Sequence, residues 1–151
     1  MKLKLLSLSV FTLLIACKSK NEQTDQPKLP IQGTWQLVSG TTIENGISTL
    51  TDYTGDSRMI KIINETHFAF LRHSINPKDS NGFDAGGGRY TLNGNTYTEH
   101  LDYYKDKNWE GKTFKFTVTL NQDTLIQKGE EKVEAAGVNR IIIEKYIKAK
   151  P

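Results

Sequence analysis

Between residues 31 and 148, apolar and polar positions alternate with a period of two. Phe114-Lys115-Phe116-Thr117-Val118-Thr119-Leu120 alternates almost perfectly, as a strand does when one face meets a core and the other meets water. The same parity puts Tyr97, Glu99, Leu101 and Tyr103 on one face of a second strand, and Phe68 and Phe70 on one face of a third. No long stretch carries a helical period, and Glu130 to Ala136 is the best short helical candidate. Asn45-Gly46 and Asn93-Gly94 are tight-turn pairs, because both residue types tolerate positive φ. Asn64-Glu65 and Asn121-Gln122-Asp123 also separate strand-like runs. The pattern predicts strands near 33–43, 57–63, 66–73, 87–92, 95–103, 112–120, 124–129 and 139–147, with a short additional one near 47–52. Sequential strands joined by short turns make an antiparallel meander. The expected fold is therefore all-β, an up-and-down barrel of about eight to ten strands that leaves no open edge, with a sandwich as the alternative. Three longer connections, Thr54–Asp56, Ser74–Gly86 and Glu130–Val138, are expected to rim the barrel mouth.

The amino-terminal residues have a different texture. Met1–Lys4 is basic, and Leu5–Ile15 is mostly apolar. That length suits a signal-peptide core and falls short of the roughly 20 residues a membrane-spanning helix needs. Leu14-Ile15-Ala16-Cys17 resembles the lipobox of bacterial lipoproteins. The resemblance implies cleavage before Cys17, two acyl chains on its thioether and a third, such as palmitate, on its amine. Two or more chains hold a protein stably to a bilayer, where one holds it marginally. Cys17 is the chain's one cysteine, so an exported domain has no internal disulfide and stands on its core alone. Residues 18–30 (KSKNEQTDQPKLP) contain little apolar surface and read as a tether reaching roughly 40 Å when extended. The expected organisation is a signal peptide over 1–16, a lipidated Cys17 with a flexible tether over 17–30, and a barrel domain over 31–151. The expected location is the cell envelope. Lys18, standing where Asp would favour inner-membrane retention, points to the outer membrane.

Charge narrows the function classes. The formal net charge is +3, and removing the signal peptide with Lys2 and Lys4 leaves +1. No patch is basic enough to suggest nucleic acid as a partner.

Gly33-Thr34-Trp35, near the start of the first strand, resembles the G-x-W motif of the lipocalin and calycin folds. The stretches Lys61-Ile62-Ile63-Asn64, Thr66-His67-Phe68-Ala69-Phe70-Leu71 and Asn95-Thr96-Tyr97-Thr98-Glu99-His100 resemble lipocalin-like lipoproteins of Bacteroidetes-type bacteria. The likeness runs from Gly33 to Lys148. It implies that Trp35 plugs one end of the barrel and that a basic side chain of the last strand, Arg140, packs across it. Such a fold also implies small-molecule binding inside the barrel, although the family has no settled function.

If Trp35 points inward, so do Leu37 and Ser39. By parity the candidate ligand-binding residues are Phe68, Phe70, Tyr97, Glu99, Phe114 and Phe116. A carboxylate among aromatics must be paired, solvated or protonated, so Glu99 is expected to face the cavity with Arg72, Arg89 or Arg140 as its partner. The alternative is that these aromatics simply fill the core. His67 and His73 share a strand face but lie roughly 20 Å apart, too far to share an ion, and His100 lies on a non-adjacent strand. No metal site is expected. Gly86-Gly87-Gly88 lacks the Gly-Lys-Ser/Thr continuation of a phosphate loop and fits a β-bulge or a flexible approach to the strand at Arg89. Glu99 and Asp102 point to opposite strand faces, and no nucleophile elbow or H-E-x-x-H is present. The expected protein is not an enzyme and carries no cofactor. It is a lipid-anchored binder of a small, partly apolar molecule, or else a filled barrel that meets a protein or glycan through its loops.

Overall fold

The computed structural model describes residues 29–79 and 82–150. The signal peptide, Cys17 and the tether up to residue 28 lie outside the described residues. Nine strands follow one another: β1 (Gly33–Glu44), β2 (Ile47–Asp52), β3 (Ser57–Ile63), β4 (His67–Ser74), β5 (Asp84–Asn93), β6 (Thr96–Tyr104), β7 (Thr113–Asn121), β8 (Thr124–Val133) and β9 (Val138–Lys148). Every pairing is antiparallel, and β1 pairs with both β3 and β9. That closes a barrel of eight strands. The ninth, β2, folds back on the distal half of β1 through the Asn45-Gly46 turn, where both residues have positive φ.

Two bulges set which side chains point inward. Leu37 pairs with Tyr146 and Ser39 with Lys145, so Val38 is an extra residue on β1. Before the bulge Trp35 and Leu37 are buried. After it the parity reverses, and Gly40 and Thr42 stand opposite the inward residues Glu144 and Ile142. Ser39 therefore faces outward beside Lys145, not inward as unbroken alternation predicts. The second bulge sits where Leu101 and Asp102 together face Gly88. It turns Tyr103 out, 70% exposed, and brings Tyr104 into the lumen, so Tyr103 does not share the face of Tyr97, Glu99 and Leu101. Glycine is required at this point. A Cβ on Gly88 would lie 1.9 Å from the His100 carbonyl oxygen, and one on Gly86 would lie 2.7 Å from the Phe70 ring.

Strand pairing also overrides loop-like composition at two places. Asp84–Gly86 belongs to β5, paired with β4 throughout and with β6 from Gly86 onward. Glu130–Val133 belongs to β8, paired with β9 down to Val133–Val138. Of the expected helix only a single 3-10 turn, Glu134–Ala136, forms.

The two barrel ends differ. The described chain enters and leaves at one end, where Trp35 pairs with Lys148. That end is packed by Ile31, Trp35, Leu37, Ile63, Tyr97 and Tyr146, all at most 3% exposed. The opposite end carries the connections 53–56, 105–112 and 134–137 and the described residues 75–79 and 82–83, and it is open.

Candidate functional site

The lumen rises in three layers from the closed end. Trp35 forms the floor, with its Nε1 donating to the Ile31 carbonyl at 2.7 Å. The basic group over its ring is Lys148, whose Nζ is 5.7 Å from the ring centroid. Gly33 lies beside the Lys148 stem, and its φ of +136° is one that favours glycine. Arg140 does not take this role. It opens β9, which runs antiparallel to β1, so it lies at the mouth, with its guanidinium 5.8 Å from the Trp109 ring and its Nε donating to Glu131 at 2.7 Å. The residue that can cross Trp35 must end β9, not begin it.

The second layer is a buried polar cluster. Lys61 on β3 is 2% exposed. Its Nζ crosses the lumen to donate to Glu99 Oε1 on β6 at 2.8 Å and to Gln127 Oε1 on β8 at 3.0 Å. The rings of Phe68, Tyr97 and Tyr146 surround the ammonium at 5.6, 5.9 and 5.3 Å from their centroids, close enough for cation–π attraction. Burial alone pulls the Lys61 pKa down. The carboxylates of Glu99, Glu144 and Glu131 outweigh that and leave it raised, so the lysine stays charged. Glu99 thus faces inward, and its partner is Lys61. Arg89 instead holds Asp102 on the outer surface, at 2.9 Å, and Arg140 holds Glu131.

Above this layer lies a cavity of about 290 Å³, at the small end of ligand pockets. Of the sequence candidates, Phe70, Glu99, Phe114 and Phe116 line it. Phe68 and Tyr97 lie below, packed around Lys61 in the core. Tyr53, Trp109, Glu131 and Glu144 line it too. Sequence alternation gave no sign of the first two, because both stand outside strands. The inward row Gln127–Glu131 and the paired row Arg140–Glu144 were readable only by carrying the parity of Leu125 and Tyr146 along β8 and β9. Among the described residues no group of histidine, cysteine and acidic side chains is placed to hold a metal. His100 Nδ1 lies 3.0 Å from Thr113 Oγ1.

Two of the cavity carboxyls, Glu131 and Glu144, are shifted upward. Burial pushes Glu144 above its ordinary 4.5, although Lys61 and the Tyr146 hydroxyl, donating at 2.8 Å, pull the other way. Burial also raises Glu131, against the opposing pull of Arg140. A raised carboxyl pKa means the folded state binds more protons than the unfolded state above pH 4.5, so stability falls as pH rises through the raised values. The acids with lowered values, Asp52, Asp102 and Glu110, act below this window, Asp102 at about 2. The melting temperature is expected to be higher at pH 5 than at pH 7. Glu144→Gln should flatten that slope and raise stability at pH 7 by on the order of 1 kcal/mol. A thermal melt series across this range checks both.

No protein-family model and no curated protein matches the chain. A solved structure does: a lipocalin-like protein from Bacteroides uniformis, with 20% identity and a TM-score of 0.51, over 78% of this chain and 97% of that one. The chain folds as a closed eight-stranded antiparallel barrel with one extra strand, and that fold is lipocalin-like.

Proposed function

We propose that this protein is a membrane-anchored lipoprotein that binds a small, partly apolar molecule in its barrel, and that it is not an enzyme. The observation that carries this reading is the open cavity of about 290 Å³, floored by polar groups and walled by aromatics. A filled barrel would have no such space. At roughly 20–30 Å³ per non-hydrogen atom, comparable with the volume of one water, the cavity takes on the order of ten to fifteen such atoms. The lipocalin-like fold is typically a binding fold, which supports the same reading. The anchor rests on the lipobox at Cys17. The described chain begins at the closed end, so a flexible tether from Cys17 leaves the mouth free to meet solutes of the envelope, with the outer membrane as the proposed site.

Native mass spectrometry of the protein extracted from its own host's envelope tests both parts. The denatured mass should correspond to a chain that starts at Cys17 and carries two or three acyl chains. The native mass should add a stoichiometric adduct of about 140–210 Da, scaled to that atom count. A bare native mass at saturating envelope extract would remove the binding reading. An unacylated chain would remove the anchor.

A further inference from the structure

The ion pairs inside the barrel leave one carboxylate without a partner. Asp84, Glu99, Glu131 and Glu144 line the cavity with Lys61, Arg72 and Arg140, and Asp84 is held by Lys105. Lys61 is taken by Glu99, and Arg140 by Glu131. Glu144 is left with one hydrogen bond among the described residues, from the neutral hydroxyl of Tyr146. It lies inside the barrel wall and lines the cavity. Gly40 stands opposite it across the β1–β9 pair. With no side chain there, the Tyr53 ring settles against the bare backbone, 3.2 Å from where a Cβ would be. Tyr53 also lines the cavity and lies within electrostatic reach of Glu144. An aromatic ring beside an unpaired carboxylate is a site for a cation, since the ring quadrupole and the negative charge both attract one.

We propose that the molecule held in the barrel carries a protonated nitrogen on an apolar body, and that Glu144 and Tyr53 bind that nitrogen. The proposal rests on the binding-barrel reading and names its ligand class. The bound ammonium gives Glu144 the ion-pair partner it lacks and forms a charge-assisted hydrogen bond to it. Arg72 lines the rim of the same cavity and makes no ion pair among the described residues. Desolvation raises the Glu144 carboxyl above its ordinary value when the cavity is empty, and the arriving cation favours the ionised form.

Three probes of matched size separate the possibilities: 2-phenylethylammonium, neutral 2-phenylethanol and anionic phenylacetate. Each is titrated into the full chain in a nonionic detergent at pH 7 and followed by fluorescence of Trp109 in the cavity wall. The expected result is that the ammonium probe binds about tenfold more tightly than the alcohol and that phenylacetate binds weakest, as a charge-assisted bond worth about twice a neutral one would give. Glu144→Gln is expected to erase the preference, bringing the ammonium probe's affinity to that of the alcohol. If that variant fails to fold, Tyr53→Leu should narrow the preference several-fold. Equal binding of amine and alcohol overturns the assignment and leaves the binding barrel standing. Binding of none of the three at millimolar concentration also overturns it, and the native adduct then decides separately whether the barrel binds anything.

Discussion

Replacing Lys61 with methionine is expected to cost about 3–5 kcal/mol, the usual result of removing one partner from a buried ion pair. Methionine matches the lysine stem in length and apolar character, so little of that loss is lost packing. The loss comes from Glu99, 7% exposed, and Gln127, 1% exposed, which would lose their donor at 2.8 and 3.0 Å. Domain stabilities run at about 5–15 kcal/mol, so the single change removes a large share of the whole. The companion Lys61→Met/Glu99→Met removes the stranded charge as well. It is expected to recover most of the loss, because a well-packed apolar replacement for a buried pair is often neutral or better. Urea denaturation of the two variants measures this. A midpoint for Lys61→Met equal to that of the parent protein would show that the pair contributes nothing. A double variant no better than the single would assign the loss to packing, not to the uncompensated carboxylate.

That lysine also marks the limit of what alternation can reveal. In Met59-Ile60-Lys61-Ile62-Ile63, hydrophobicity alone turns Ile60 and Ile62 inward and Lys61 outward. The structure does the reverse, with Lys61 at 2% and Ile62 at 41% exposed. Register decides it: Ile63, Lys61 and Met59 pair with Phe68, Phe70 and Arg72, and the aromatic pair on β4 is the stronger claim on the core. The barrel itself was legible, since each strand announces itself locally through its alternation and each short hairpin through Asn-Gly or a similar turn. The inward direction of Glu99 was legible for the same reason. Its partner was not, because β3, β6 and β8 meet across the lumen and no neighbouring residues in sequence record that contact. The parity of Ser39 and Tyr103 failed for a third reason. Each follows a one-residue bulge, and a bulge leaves no mark in the apolar pattern except that the flanking strand changes face. Gly86-Gly87-Gly88 did mark the second one, since only glycine admits the His100 backbone at 1.9 Å from a Cβ position.

At the closed end, Trp35→Ala is expected to cost about 3–5 kcal/mol and to lower the urea midpoint accordingly. The indole is 1% exposed and packs among Ile31, Leu37 and Ile63, and alanine would leave a void that rigid strands on all sides cannot close. It also strands the Ile31 carbonyl, which accepts the indole N–H at 2.7 Å. Trp35→Phe should lose less, about 1–3 kcal/mol, by keeping a ring and losing that hydrogen bond. The basic residues discriminate between the two ends. Lys148 lies over the Trp35 ring but is itself exposed, so Lys148→Ala is expected to cost no more than about 1 kcal/mol. Its effect should vanish in the Trp35→Ala background, because the two touch. Arg140→Ala also destabilises, by leaving Glu131 unpaired at the mouth. That loss should add in full to Trp35→Ala, because Arg140 shares no partner with the tryptophan. Additivity for Lys148 and coupling for Arg140 would reverse the assignment and return Arg140 to the closed end. The expected pattern instead leaves Trp35 and Lys148 as the plug of the barrel and frees Arg140 to shape the wall of the cavity beside Trp109.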